Sequence, residues 1–233
     1  MFKSRDDSLK LRHHHPYRFC LRSFEVEHRA GMAMTKNSLL NTLTNYFSES
    51  DAVLLAELLN SHLDKETIRY KEVDIVESQK KDLMLLAFEE RILIPIKSRS
   101  GPAWEDRILD FRDEGRYFIP PVVKAMVTSI YDIGKPSCNA AVRQTLGNVI
   151  QKDISGFVEL LQTTMKHANN YFFETGLLEI FFKASPVNKD LHDIIDMFVN
   201  YGMMSPCPRK SLMTGLSWYE INPTLYWDKA FLI

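Results

Sequence analysis

Two groups of polar residues have types that catalysis or metal binding could use. His13–His15 offer imidazole nitrogens, but three consecutive residues of one helix or strand cannot converge on a single ion. Asp190 and Asp193, with the pair Glu89 and Glu90, come nearest to a carboxylate cluster, and at helical spacing such charges usually solvate a polar face. The sequence contains no glycine-rich phosphate loop and no nucleophile motif. We therefore predict no metal site, no cofactor and no enzyme activity.

A third group of residues has the chemistry of nucleic-acid contact. Gln79, Lys80 and Lys81 lie at the start of a predicted helix. Lys97 and Arg99 lie in the loop of the hairpin that follows this helix. A glutamine can hydrogen-bond an adenine edge, and lysine and arginine can bind phosphates. Neighbouring carboxylates dilute this positive charge, so an ordinary solvated surface is the alternative for all five residues.

The overall charge does not favour a nucleic acid. The formal net charge is −1, and the positive excess lies in residues 1–34, which hold seven Lys or Arg against four Asp or Glu. The rest of the chain, with 22 against 26, is slightly acidic. A strongly basic protein would indicate such a partner, and this one is not strongly basic.

Cysteine usage and hydropathy restrict the compartment. Cys20, Cys138 and Cys207 are far apart and odd in number, so no disulfide framework is indicated and a reducing cytoplasm fits best. No apolar run reaches the roughly 18–20 residues that span a bilayer. We predict a cytoplasmic protein without a membrane partner.

The elements that must position these residues are two similar helix-and-hairpin arrangements. A helix over about residues 77–91 precedes alternating isoleucines at 92, 94 and 96, where Pro95 indicates an edge strand. Later, a one-sided apolar helix carries Leu191, Ile194 and Phe198, and Gly202 ends it. A polar loop and the alternating run 218–221 then suit a hairpin.

The two arrangements resemble each other in sequence. Lys81-Asp82-Leu83 matches Lys189-Asp190-Leu191, and Tyr117, Ile119 and Pro121 recur as Tyr219, Ile221 and Pro223. Asp82 and Phe118 are 36 residues apart, whereas Asp190 and Glu220 are 30 apart. We therefore predict a duplication in which the first hairpin loop is about six residues longer.

These patterns divide the chain into four parts. Residues 1–34 lack an amphipathic period and are predicted to be a disordered leader. Residues 35–121 form the first module, and residues 174–233 form the second. Residues 122–173 between them are too apolar for a flexible linker and are predicted to be a packed helical connector.

The second module resembles the winged helix-turn-helix superfamily. Residues 175–185 are similar to its second helix, residues 190–204 to its third helix, and residues 217–223 to its last strand. Residues 51–121 resemble it more loosely and depart at Arg91, where the superfamily more often has glycine. The predicted fold is mainly α with small β-hairpins: two winged-helix modules joined by the connector.

The resemblance implies a helix in the DNA major groove and a wing near the DNA backbone. We accordingly predict a transcriptional regulator that binds double-stranded DNA through Gln79, Lys80, Lys81, Lys97 and Arg99. The alternative is a winged-helix adaptor that binds a protein partner and no DNA.

A homodimer is also predicted, because such regulators usually address two half-sites. Two apolar stretches suit its interface, namely the early helix with Leu39, Leu43 and Tyr46, and the tail with Trp227 and Phe231. The alternative is that both stretches cover the core of their own module.

Overall fold

A computed structural model describes residues 37–150, 154–187 and 189–233. The predicted leader, residues 1–34, lies outside the described residues. Within them the protein is mainly helical and has two small three-stranded antiparallel sheets. The predicted class, mainly α with small β-hairpins, is confirmed at this level.

The helices and strands follow one another in a simple order. The helices are α1 (37–43), α2 (Glu49–His62), α3 (Glu77–Glu89), α4 (Pro121–Ile133), α5 (Cys138–Leu146), α6 (Ile154–His167), α7 (Thr175–Ala184), α8 (Leu191–Asn200) and α9 (Pro208–Thr214). The strands are β1 (Ile68–Arg69), β2 (Ile94–Pro95), β3 (Arg116–Phe118), β4 (Phe172–Glu174), β5 (Met204–Pro206) and β6 (Trp218–Ile221). Short 3-10 helices cover Tyr70–Glu72, Trp104–Asp106, Pro223–Trp227 and Lys229–Leu232.

Local sequence signals set several helix ends. The side chains of Ser48, Ser137 and Asp190 each accept a hydrogen bond from a backbone N–H in the first turn of α2, α5 and α8. These bonds satisfy donors that have no partner inside the helix. Gly134 ends α4 in the left-handed conformation, with φ 75°, which glycine adopts without steric cost.

The two halves share one topology. In each half a helix (α2 or α6) precedes the first strand (β1 or β4). One or two more helices follow, namely α3 or the pair α7 and α8, and then a hairpin of two strands. The sheet orders are β1-β3-β2 and β4-β6-β5, so the third strand is central in both. In both sheets a tyrosine of the third strand pairs with a proline of the second: Tyr117 with Pro95, and Tyr219 with Pro206.

This pairing corrects the predicted alignment of the halves. Tyr117 follows Pro95 by 22 residues and Tyr219 follows Pro206 by 13, so the first hairpin loop is nine residues longer rather than six. Four residues before each proline the backbone is left-handed, at Arg91 with φ 56° and at Gly202 with φ 73°. Arg91 therefore occupies the position of the expected glycine.

The halves meet through reciprocal contacts at these left-handed residues. Pro120 and Asn222 each lie three residues beyond the paired tyrosine of their own half. Asn222 Nδ2 donates to the carbonyl oxygen of Arg91 at 3.3 Å, while Pro120 lies directly against Gly202. The end of the central strand in each half thus contacts the helix end of the other half.

The helical connector is part of the core. Seven residues of α4 and four of α5 are buried, and all of them except Ser129 belong to one apolar cluster that includes residues from both halves. Each fully buried aliphatic side chain contributes roughly 1.5–3 kcal/mol. The described residues from 37 onward belong to one compact unit, and the predicted boundaries near residues 121 and 173 stay a prediction.

Two glycines with the same backbone conformation should respond differently to alanine. A Cβ on Gly202 would lie 2.5 Å from Cβ of Pro120, whereas a Cβ on Gly215, with φ 71°, would meet nothing within 4 Å. We expect Gly215→Ala to cost about 1 kcal/mol of left-handed backbone strain and Gly202→Ala about 2–3 kcal/mol, because it adds a clash. Urea unfolding of the two variants measures the difference. Equal losses would show that Pro120 moves freely and that the contact is not tight.

Candidate interaction surfaces

The three predicted DNA-contact residues of α3 do not share one environment. Gln79 and Lys81 are exposed in the first turns of the helix. Lys80 is only 6% exposed, and its ammonium lies 4.4 Å from the ring centroid of Tyr70. A cation over an aromatic face is an intramolecular packing contact, so Lys80 is not presented to solvent.

Lys97 and Arg99 are exposed on the hairpin loop that follows β2. This first wing, residues 96–115, is held by backbone bonds from Arg99 N to Asp106 O at 2.9 Å and from Ile108 N to Lys97 O at 2.9 Å. Arg112 hydrogen-bonds Asp110 and, with a smaller contribution from nearby Lys97, lowers the pKa of that carboxyl to about 2. No hydrogen bond or ion pair in the described structure joins Lys97 or Arg99 to Gln79 or Lys81.

The charge around the predicted contacts is balanced. The first wing, residues 96–115, contains four Lys or Arg and five Asp or Glu. Helix α3 contains two lysines and three carboxylates, and α8 contains Asp193 and Asp196 with no Lys or Arg. Phosphate binding draws its affinity from net positive charge, which neither helix supplies.

The second wing, residues 205–217, contains a helix that the sequence analysis missed. Pro208 occupies the first turn of α9 and Gly215 follows its end with φ 71°. A proline at the start and a glycine just past the end are typical of a helix, and they are the signal that could have revealed it. The polar loop predicted here is therefore wrong for residues 208–214.

Contacts with Glu105, Phe172 and Trp218 hold α9 in place. Glu105 Oε1, in the first wing, accepts a hydrogen bond from the backbone N–H of Arg209 at 2.6 Å, so the other half caps this helix. The ammonium of Lys210 lies 4.5 Å from the ring centroid of Phe172 and 3.9 Å from that of Trp218. Trp218 Nε1 also donates to Thr214 Oγ1 at 2.8 Å. The helix is consequently fixed on a polar and aromatic base.

The outer side of α9 is apolar and exposed. Leu212 is 86% exposed, Met213 82% and Leu216, just beyond the helix, 46%. No residue of α9 is buried. Isolated exposed apolar residues are ordinary, but three close together in sequence, two on a held helix and one just beyond it, form a patch of the kind found at interaction sites.

The two stretches predicted to form a dimer interface contact each other within the chain. Leu39 and Leu43 of α1 are fully buried, and Trp227 is 4% exposed. Tyr46 Oη donates to the carbonyl oxygen of Trp227 at 2.7 Å, and the two rings stack with centroids 6.0 Å apart. This favours the alternative in which both stretches cover the chain's own core.

Metal-ligating side chains and cysteine thiols have catalytic chemistry, and both occur among the described residues. These residues hold no group of three or more His, Cys, Asp or Glu side chains placed to bind a metal ion. Burial raises the pKa of the Cys207 thiol to about 12 and that of Cys138 well above its usual value, so neither thiol supplies a thiolate at neutral pH. No described helix has the length and hydropathy to cross a membrane.

The end of α3 carries a destabilising charge. Burial, and to a lesser extent the neighbouring Glu89, raises the pKa of Glu90. A raised carboxyl pKa means that ionisation is less favourable in the folded than in the unfolded state, so this effect lowers stability above that pKa and vanishes below the unfolded value. We expect Glu90→Gln to raise Tm by about 1–2 °C at pH 7 and not at pH 3. A Tm gain that is the same at both pH values would contradict this origin.

The structure thus defines a mainly helical protein with two small antiparallel sheets in halves of like topology. Residues 37–229 match the model of a protein family whose function is uncharacterised, and the chain belongs to that family. A search of curated proteins and a search of solved structures each gave no match.

Proposed function

We propose that this protein is a tandem winged-helix protein that acts through protein–protein contacts. The strand order of both sheets, with the third strand between the first and second, supports the winged-helix assignment, as does the sequence resemblance of the second half. The left-handed position shared by Arg91 and Gly202 supports a duplication of one unit.

The observation that carries the proposal is the apolar outer side of α9. Leu212 and Met213 of α9, and Leu216 just beyond it, are exposed together although Glu105 and Lys210 hold the helix in place. Burying such a patch against a partner would gain roughly 25 cal/mol per Å² of apolar surface. Because the helix is already held, little conformational entropy is lost on binding.

DNA binding is the second candidate function. Exposed Gln79, Lys81, Lys97 and Arg99 support it, since side chains of these types can bind phosphates or a base edge. Two features weaken the positive electrostatic potential that would attract DNA. Lys80 packs on Tyr70, and the acidic and basic residues of the first wing balance. Protein contact is therefore the function that the geometry supports better.

A salt titration on DNA separates the two candidates. We expect no saturable binding of a labelled random-sequence duplex at about 50 mM salt, where phosphate contacts are strongest. A regulator using Lys81, Lys97 and Arg99 would instead bind with a log–log salt slope of about −3. Binding that Lys81→Glu and Lys97→Glu abolish, and that Lys183→Glu in α7 leaves unchanged, would overturn the proposed function in favour of DNA.

A further inference from the structure

We propose that the outer side of α9 binds an acidic, amphipathic segment of a partner protein. The inference rests on the proposed function and specifies the chemistry of the partner. The segment must supply apolar side chains for Leu212 and Met213 and a carboxylate for Arg209.

The apolar requirement follows from the shape of the surface. A shallow groove of about 480 Å³ runs along this side of the wing and is lined by Pro208, Ser211, Leu212, Gly215, Leu216 and Ser217. Leu212 and Leu216 give this lining its apolar character, whereas Met213 and Arg209 lie outside the groove, on the exposed surface of α9 next to it. Methionine and arginine are enriched at interfaces of this kind.

The carboxylate requirement follows from charge. Residues 205–217 contain Arg209 and Lys210 and no Asp or Glu. The carboxylate of Glu105 touches α9 from the other half, and it accepts from the backbone N–H of Arg209. Lys210 is engaged with Phe172 and Trp218, whereas exposed Arg209 has no side-chain hydrogen bond or ion pair in the described structure. A guanidinium next to an apolar patch is suited to a carboxylate, which it can bind through two parallel hydrogen bonds.

Two other occupants suit the surface less well. A second copy related by a two-fold axis would bring Arg209 close to its own equivalent, and three side chains offer far less than the roughly 800 Å² per partner of a stable dimer. An anionic membrane gains only about 1 kcal/mol from each cation near its surface, and the chain as a whole carries a net charge of −1. A short acidic segment matches both the size and the charge of the patch.

Selection from a random dodecapeptide phage library tests the inference. The immobilised wild-type protein is the target, and the Leu212→Asp/Met213→Asp double variant is used for counter-selection. We expect the surviving peptides to combine two or more large apolar residues with Asp or Glu, and to be depleted in Lys and Arg.

The consensus peptide is then measured by fluorescence anisotropy. We expect the double variant to weaken binding more than tenfold and Arg209→Ala to weaken it about tenfold, since a charge-assisted hydrogen bond is lost. The matched control is Ile180→Asp, because Ile180 of α7 is 64% exposed in the same half and should leave binding within about twofold. Thermal unfolding confirms that each variant is folded.

Several outcomes would overturn the inference. One is that no selected peptide depends on Leu212 and Met213 for binding. The others are a consensus without acidic residues and equal binding of the consensus peptide by wild type and double variant. Loss of vesicle binding (phosphatidylcholine with phosphatidylserine) or of self-association in the double variant, without peptide binding, would assign the surface to a membrane or a second copy. If a full-length protein partner is instead retained equally by wild type and double variant, the proposed function stands and only this surface is wrong.

Discussion

Replacing Arg91 by alanine is expected to lower the free energy of unfolding by about 3–5 kcal/mol, because it leaves a buried carboxylate unpaired. Arg91 Nε and Nη2 donate to the two carboxylate oxygens of Glu220 at 2.9 and 3.1 Å, across the contact between the halves. Glu220 is 8% exposed, so water cannot replace the lost donors. Urea unfolding measures the loss.

The double variant Arg91→Met/Glu220→Met is the control for this prediction. Removing both charges leaves neither uncompensated. In the cycle with the single variants Arg91→Met and Glu220→Met, we therefore expect the double variant to lose less stability than Arg91→Met alone, with a coupling energy of at least about 2 kcal/mol. A single-variant loss below about 1 kcal/mol, or a double loss equal to the sum of the two singles, would show that the pair does not hold the halves together.

The second large effect is expected at Trp227. Its ring stacks on Tyr46 and meets Phe47 edge-on, with centroids 6.4 Å apart in the second pair. Truncation leaves a cavity where the tail meets the turn after α1, and we expect Trp227→Ala to cost about 3–5 kcal/mol. The matched control is Ile133→Ala, since Ile133 is 54% exposed and should cost about 0.5 kcal/mol or less.

Calorimetry or urea unfolding of both variants checks this expectation. If Trp227→Ala were as stable as the control, the tail would not be part of the core. The apolar side chains of the tail would then be available for the predicted dimer interface.

The sequence predicted the parts of the fold that local chemistry controls. Apolar spacing indicated α8, and Gly202 marked its end because a left-handed residue there is usually glycine. The edge position of Pro95 was predicted because proline cannot donate to a sheet. Each of these inferences needs only a few neighbouring residues.

The remaining features depend on distant contacts. The residues next to Arg91 in sequence do not indicate a left-handed backbone. The strain of this conformation is offset by the hydrogen bonds of the Arg91 side chain to Glu220, which is 129 residues further along the chain. Burial of Lys80 depends on Tyr70, which a different segment places beneath it. Helix α9 has no apolar stripe facing a core, so a search for amphipathic periods passes over it.

Site-specific photocrosslinking in cells tests most directly the claim that the second wing is a protein-binding surface. A photoreactive phenylalanine analogue replaces Met213 in one variant, exposed Ile180 in a second and Lys81 in a third. We predict a light-dependent adduct with another protein from position 213, and none from positions 180 and 81. An adduct with DNA from position 81, with no protein adduct from position 213, would contradict the proposed function.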